Sequence, residues 1–562
     1  MTWKKIILPI SIVCIILYYV FNTKSDNYIQ LSSEEKGFLI NIFYEDRVEK
    51  IYPWYDETTG IWEIFLPSYL NTGEEIDVIV EELQFLNEIS KNNRVRLKNQ
   101  EIYEISKKNG EKYKVRINLS KNVPALFIET ESGDMQYLDT DKDHEECGRV
   151  YSVNHDGKID YCGDLESISG RGNGTWEQEK KPYNLKLAKY GQMAGLNPAK
   201  EWALLAFHYE GDKIHSKIAY DLEKILGGKY PSECTWVDVY FNGKYNGIYL
   251  LIDSVKERAG FDFKTNGFLV EKELSIRVSG ESIKTNTGGM FEVKKCAESN
   301  VEDILCYIQE CEDTIYSGTL EEDKIDIESF AIQFLVDMIS MNNDSFKTSS
   351  FYYKFDGDNK IYAGPSWDYD GAFAEYLHHG ADWINPQGTI FIEDEPEQLK
   401  WFEILYDNPV FYECVIQKFR THSQELLCLA NEKIDEYAEY IECAVLNDDL
   451  RWKFTDGTKH RAGSYQSWSN DVRYLQYFMN TRLQYLADLW EIDEAQFEWE
   501  STGEMHKVKF LADDKVLTVV EVEDGTSIQT FPDVKGKWCF DYSGERYLQY
   551  LPILEDCTLV LK

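Results

Sequence analysis

Between residues 38 and 130, apolar and polar positions alternate in short runs: FLINIFY, IWEIFLP, VIVEEL and KVRINL, set apart by clusters of Gly, Asn and Asp. A period of two is the mark of half-buried strands, so residues 25–118 are expected to form a β-rich opening domain. From Val150 the strand-like runs continue through WVDVYFNGKYNGIYLLI and GFLVEKEL, and then the period lengthens. The stretches VEDILCYIQECEDTIYSG, IESFAIQFLVDMISMN, LKWFEILYDNPVFYECVIQKF and SNDVRYLQYFMNTRLQYLADLWE repeat their apolar residues at helical spacing. A strand-rich half followed by a helical half predicts an α+β body over residues 119–495. After Phe497, HKVKFLADDKVLTVVEVEDG and YLPILEDCTLVLK return to short strands, so a small separate β module is expected over 500–562.

One run fits neither period. Ile6 to Asn22 carries no charge for 17 residues and is preceded by Lys4 and Lys5. That length lies at the short end for crossing a bilayer, and no small-residue cleavage site follows, which favours an uncleaved signal anchor over residues 1–24. Lysines on the short N-terminal side place the remaining chain outside the cytoplasm. Val13 stands where a lipoprotein signal needs a small residue, so Cys14 reads as an ordinary apolar position.

Charge narrows the function classes. The 562 residues include 99 acidic against 59 basic side chains, a net charge of −40. Such a surface repels phosphate backbones, which argues against nucleic acid and for cationic partners and divalent metals. There are 12 cysteines and no C-x-x-C, so zinc is not expected. Cys147 and Cys162 bracket a stretch with an Asp156-Gly157 turn, and a hairpin there is expected to bring the two thiols together as a disulfide. The acidic DTDKDHEE from Asp139 imitates the start of a calcium loop, but His144 replaces the necessary glycine, which leaves a solvated turn.

Two stretches carry candidate chemistry. AGPSWDYDGAF sets Asp368 and Asp370 two residues apart among aromatics; alone, it is as consistent with a turn as with a metal site. ISGRGNGTWEQEKKPYNLKL places three glycines around Arg171 and Asn173 and then runs into a strand carrying Lys186. A loop of this kind lets backbone N–H groups approach phosphates, although a hairpin turn reads equally well.

These stretches, with EWALLAFHYEGDKIHSKIAYDLEKILG, GFLVEKE, NNDSFKTSSFYYKFDGDNK and YDNPVFYE in the same order, resemble the spore coat protein H (CotH) kinase family over roughly residues 120–490. The resemblance implies an atypical, two-lobed protein-kinase-like fold. It further implies ATP with magnesium or manganese, and phosphorylation of Ser or Thr in surface or coat proteins; with the N-terminal run as its anchor, the enzyme is expected to be a membrane-bound monomer. On that resemblance Asp368 and Asp370 correspond to the metal-holding aspartates, and Asp344 to the aspartate that orients the acceptor hydroxyl or takes its proton. Lys186 is the first choice for phosphate contact, with Arg171 and Lys181 second, and Asp253 lies near the adenine-binding hinge. The chain departs from the family pattern at Phe207, at His215 and Ser216, and at Ser349 and Ser350, which keeps a catalytically degenerate scaffold in play. Residues 505–562 resemble a Listeria–Bacteroides surface repeat of β-grasp-like form.

Overall fold

The computed structural model describes residues 28–562 apart from 35–36, 45–46, 71–72, 74, 82, 87–93, 258–260, 298–300, 319–323, 374–384, 392–396, 454–464 and 494–495. The segment expected to anchor the chain in a membrane lies outside the described residues. Among those described, no helix is long and apolar enough to cross a membrane.

The alternating runs of the opening region fold into two five-stranded sheets. Each strand turns one set of side chains inward, and Ile40, Ile42, Ile64, Val78, Ile105 and Val115 meet in one core. This core does not stop at residue 118. It continues through Phe127, Tyr240 and Tyr245, with Phe65 stacked on Tyr245 at 4.6 Å.

Seven strands follow and close into a barrel: Ala125–Thr130, Glu145–Val153, Ile159–Gly170, Tyr183–Gly191, Ala199–Leu205, Cys234–Phe241 and Lys244–Asp253. Neighbours pair antiparallel except at the closure, where Ala125–Thr130 runs parallel to Cys234–Phe241. Leu126, Val150, Leu185, Leu187, Val239 and Leu251 fill the interior.

The expected disulfide does not form. Cys162 pairs with Tyr151, whereas Cys147 sits at a register shift beside Gly148, whose partner is Leu165. The two thiols are therefore offset along the ladder by about four residues at roughly 3.3 Å each, far beyond disulfide reach. Both cysteines are free.

The helical half packs beside a second sheet, in the order Ser282–Lys284, Met290–Cys296, Phe268–Lys272, Ser350–Lys354, Tyr362–Ala363. At its centre the helix Ile327–Ser340 is buried from Phe330 to Ser340. Asp326 caps its start by accepting from the Ser329 N–H, and Met341, at φ 48°, ends it in the left-handed conformation. Helices Pro409–Thr421 and Trp468–Leu489 pack against it, while Ile434–Trp452 packs on the barrel strand Lys244–Asp253.

The closing module is a four-stranded sheet in the order Lys515–Glu523, Met505–Ala512, Cys557–Leu561, Trp538–Phe540, its central pair parallel. It shares one continuous apolar core with the helical half. Arg473, on the last long helix, donates to Asp524 at 2.6 Å, and Tyr465 donates to the Pro552 carbonyl at 2.6 Å.

Candidate active site

A cleft of about 230 Å³ opens between the barrel and the helical half. One wall is the glycine loop that joins strands Ile159–Gly170 and Tyr183–Gly191, from Arg171 to Thr175. Gly172 holds φ 80°, and a Cβ there would stand 2.2 Å from Thr175 Oγ1, so a side chain is excluded on both counts.

Facing this loop are Asp344, Asp368 and Asp370. The segment carrying the latter pair is fixed by the residue between them. Tyr369 is buried, and its hydroxyl donates to Asp337 Oδ1 at 3.0 Å while accepting from Gln333 Nε2 at 3.0 Å, both on helix Ile327–Ser340. With Tyr369 drawn into the core, its two acidic neighbours are left lining the cleft. Asn342 ties the two acidic segments together: its Nδ2 donates to the Asp368 carbonyl at 3.2 Å, and its Oδ1 accepts from the Asp344 N–H at 3.2 Å. Ser349 Oγ donates to Asp368 Oδ2 at 3.0 Å.

Left-handed backbone concentrates here. Phe207 (φ 61°), Ser349 (φ 53°) and Asp368 (φ 64°) all line the cleft, and Phe346 (φ 62°) and Phe373 (φ 55°), close to them in sequence, are buried in the core of the helical half. Each is a conformation that costs of order 1 kcal/mol outside glycine and persists where the surroundings over-determine it.

Burial, reinforced by the Asp368 charge, pushes Asp344 up to about 6, against the opposing charge of Lys347, whose Nζ lies 3.8 Å from its Oδ1. Burial and the Asp368 charge hold Asp370 well above the usual carboxylate range. Behind them burial lifts Glu271 to about 7 although Lys294 lies 2.5 Å away. Glu210, on the cleft wall, is likewise raised by burial.

Arg171 lies on the cleft with its guanidinium 5.4 Å from the Trp367 ring, and its buried Nη1 makes no hydrogen bond among the described residues. The other cationic candidates are elsewhere. Lys186 was expected at the phosphates, but Tyr183, Leu185 and Leu187 of the same strand face the barrel core, so the strand period turns Lys186 outward. There it pairs with Glu166 at 2.8 Å. Lys181 folds back onto the glycine loop, donating to the Trp176 carbonyl at 2.7 Å. Asp253 ends its strand opposite Trp202, accepts from the Glu233 N–H at 3.3 Å, and is not among the cleft residues. Lys180, which the sequence did not single out, is the inward lysine: it donates to Asp448 at 2.7 Å and lies 4.6 Å from the Tyr249 ring.

Residues 168–486, more than half of the chain, match the family model described as CotH kinase protein. The chain belongs to the CotH kinase family. No curated protein matches it significantly.

Within this member of the family, the positions expected to depart from its pattern have local partners. His215 opens the helix His215–Ile225 with Nδ1 3.0 Å from Asp212 Oδ2, and Ser216 donates through Oγ to Glu210 Oε1 at 2.7 Å. Glu210, Glu273 and Arg277 also line the cleft. They stand on loops with no spacing signal, and only the family strings EWALLAFHYEGD and GFLVEKE, which contain or adjoin them, pointed to the region.

Proposed function

We propose that this CotH kinase transfers the γ-phosphoryl group of ATP to a Ser or Thr hydroxyl of a protein, with barrel and helical half acting as the two lobes around the cleft. The observation that carries the reading is the convergence of Asp344, Asp368 and Asp370 on a glycine loop within one cleft. Hard carboxylate oxygens crowded until their charge is disfavoured are the donor set a divalent cation satisfies, so the residues fit magnesium or manganese. Asp368 and Asp370 would hold the metal, which supplies charge neutralisation on the β and γ phosphates when bound.

The chain's own residues do the rest. The glycine loop presents backbone N–H groups to the phosphates. Asp344 accepts the proton of the acceptor hydroxyl, for which a carboxylate raised to about 6 is a better base than an ordinary one. Asn342 and Ser349 keep Asp344 and Asp368 in register. The uncharged run Ile6 to Asn22, read as an anchor, puts this chemistry on surface proteins outside the cytoplasm.

A non-catalytic scaffold is the second reading; it draws on the fact that no lysine lines the cleft among the described residues. Purified protein with labelled ATP and manganese separates the two. The wild type is expected to label itself or Ser-rich peptides. Asp368→Ala and Asp370→Ala should abolish transfer, at least one of them weakening metal-dependent ATP binding. Asp344→Ala should keep nucleotide binding while turnover falls at least about 10²-fold. A wild type with neither transfer nor nucleotide-dependent thermal stabilisation, in either metal, hands the case to the scaffold.

A further inference from the structure

We propose that Arg277 is a catalytic cation that grips the phosphoryl group during transfer, a role that rests on the kinase reading above. Arg277 lines the cleft, and its charge acts on Asp344, partly opposing the forces that raise that carboxyl. Its side chain makes no hydrogen bond or ion pair among the described residues, in a chain whose net charge is −40. A guanidinium left without a carboxylate in so acidic a molecule is available to an anion.

The backbone beneath it is held at both ends. The Arg277 N–H donates to the Leu274 carbonyl at 2.9 Å, closing a turn. Glu273 Oε1 accepts from the Leu274 N–H at 2.7 Å and from the Thr348 hydroxyl, which fastens the turn to the segment following Asp344. Glu397 accepts from the Ser275 N–H at 3.1 Å and from its hydroxyl at 2.8 Å.

Elimination points the same way. Lys186 faces outward, Lys181 is folded onto loop carbonyls, Lys180 is buried against Asp448, and Lys347 is paired with Asp344 at 3.8 Å. Among the described residues lining the cleft, the cationic side chains are Arg171 and Arg277. Arg171 comes from the glycine loop and feels Asp368 and Asp370, which places it on the nucleotide side. Arg277 comes from the turn that Glu273 fastens to the segment following Asp344, the side on which the acceptor hydroxyl would lie. In the step, the acceptor oxygen bonds to the γ-phosphorus as its proton passes to Asp344. The bond from that phosphorus to the β–γ bridging oxygen breaks, and its electron pair leaves with ADP. The charge on the oxygens of the group in transit is what a planar, two-pronged guanidinium matches.

The test compares wild type, Arg277→Ala, Arg277→Lys and Arg277→Gln in a transfer assay and in thermal-shift titrations with Mg-ADP and with Mg-ADP plus aluminium fluoride. Arg277→Ala is expected to respond to Mg-ADP like the wild type and to lose the extra stabilisation given by aluminium fluoride. Its turnover should fall about 10²-fold, with the KM for ATP changed less than about threefold. Arg277→Lys should recover part of the turnover and Arg277→Gln none; these two decide the matter if the alanine variant melts early without ligand. Wild-type turnover and a wild-type aluminium fluoride response in the variants would overturn the role of Arg277 alone. A wild type that ignores Mg-ADP would remove the kinase reading and this proposal with it.

Discussion

Lys180 Nζ lies 2.7 Å from Asp448 Oδ1, with both side chains almost wholly out of water. The same ammonium donates to the Ile248 carbonyl, and Asp448 Oδ1 also accepts from the Ile248 N–H at 3.2 Å. The pair thus joins the end of the glycine loop to a barrel strand and to helix Ile434–Trp452. Burial depresses Lys180 to about 8, so it remains charged at neutral pH, sustained by the carboxylate. Lys213 Nζ also lies 3.6 Å from Asp448 Oδ2, so Asp448→Ala, which takes the shared carboxylate from two buried ammonium groups, should destabilise the protein by about 3–5 kcal/mol, and Lys180→Met, which leaves Asp448 with Lys213, by less. The double variant should be less damaged than the sum, as read by denaturant unfolding of all four proteins.

Lys186 offers the converse. Because it sits outside the barrel in an ion pair of partly exposed groups, Lys186→Ala is expected to leave nucleotide affinity within about twofold of wild type and stability nearly unchanged. A tenfold loss of Mg-ATP affinity, measured by titration, would show that the strand turns over when nucleotide binds.

Three lysines within seven residues, at 180, 181 and 186, show where sequence reasoning stopped. Composition and glycine spacing located the loop, and the family strings located the three aspartates. Which lysine faces inward is decided by the phase at which the loop enters the next strand, and a loop of irregular backbone does not transmit that phase to the reader. The same limit explains Cys147 and Cys162: the turn was legible, the pairing offset was not. Strand and helix periods were long enough to be read directly, which is why the α+β order survived. Arg277 and Glu210 reach the cleft from loops, where no period exists to be read.

Ser349 makes a narrower prediction. Its hydroxyl is a neutral donor to a carboxylate proposed to hold metal, so Ser349→Ala should leave the fold intact and loosen Asp368. A charge-assisted hydrogen bond of this kind is worth about 1.5–3 kcal/mol, and the loss should appear as a tenfold or greater rise in the manganese concentration needed for half-maximal nucleotide binding. An unchanged manganese titration would show that Asp368 is held by its backbone alone.

The pH dependence of stability follows from Asp337. Burial raises it to about 7 although Gln333 and Tyr369 donate to it. An unfolded aspartate titrates near about 4, so between about pH 4 and pH 7 the folded protein keeps a proton that the unfolded chain has released. Stability from this group is therefore greatest below that window and declines as pH rises through it. Melting temperatures across pH 5 to 8 in metal-free buffer should fall, and Asp337→Asn, which mimics the protonated form, should flatten the slope.

The free thiols give a chemical check. Cys147 and Cys162 are both exposed and held apart by strand register, so each should react with maleimide without prior reduction. Peptide mapping under non-reducing conditions should recover the two as separate labelled peptides.

Tyr369 gives the pair of acids a fixed phase. Its hydroxyl is fastened to helix Ile327–Ser340, so Asp368 and Asp370 are indexed to a rigid rod and not to the loop that carries them. One residue added or removed between Trp367 and Gly371 would put the wrong side chain in the tyrosine's socket and turn a carboxylate away from the glycine loop. The distance between chemistry and scaffold in this protein is thus a matter of counting, and the count is pinned at both ends of the segment, where Ser366 donates to Gln333 and the Phe373 N–H to the Ser340 carbonyl of the same helix.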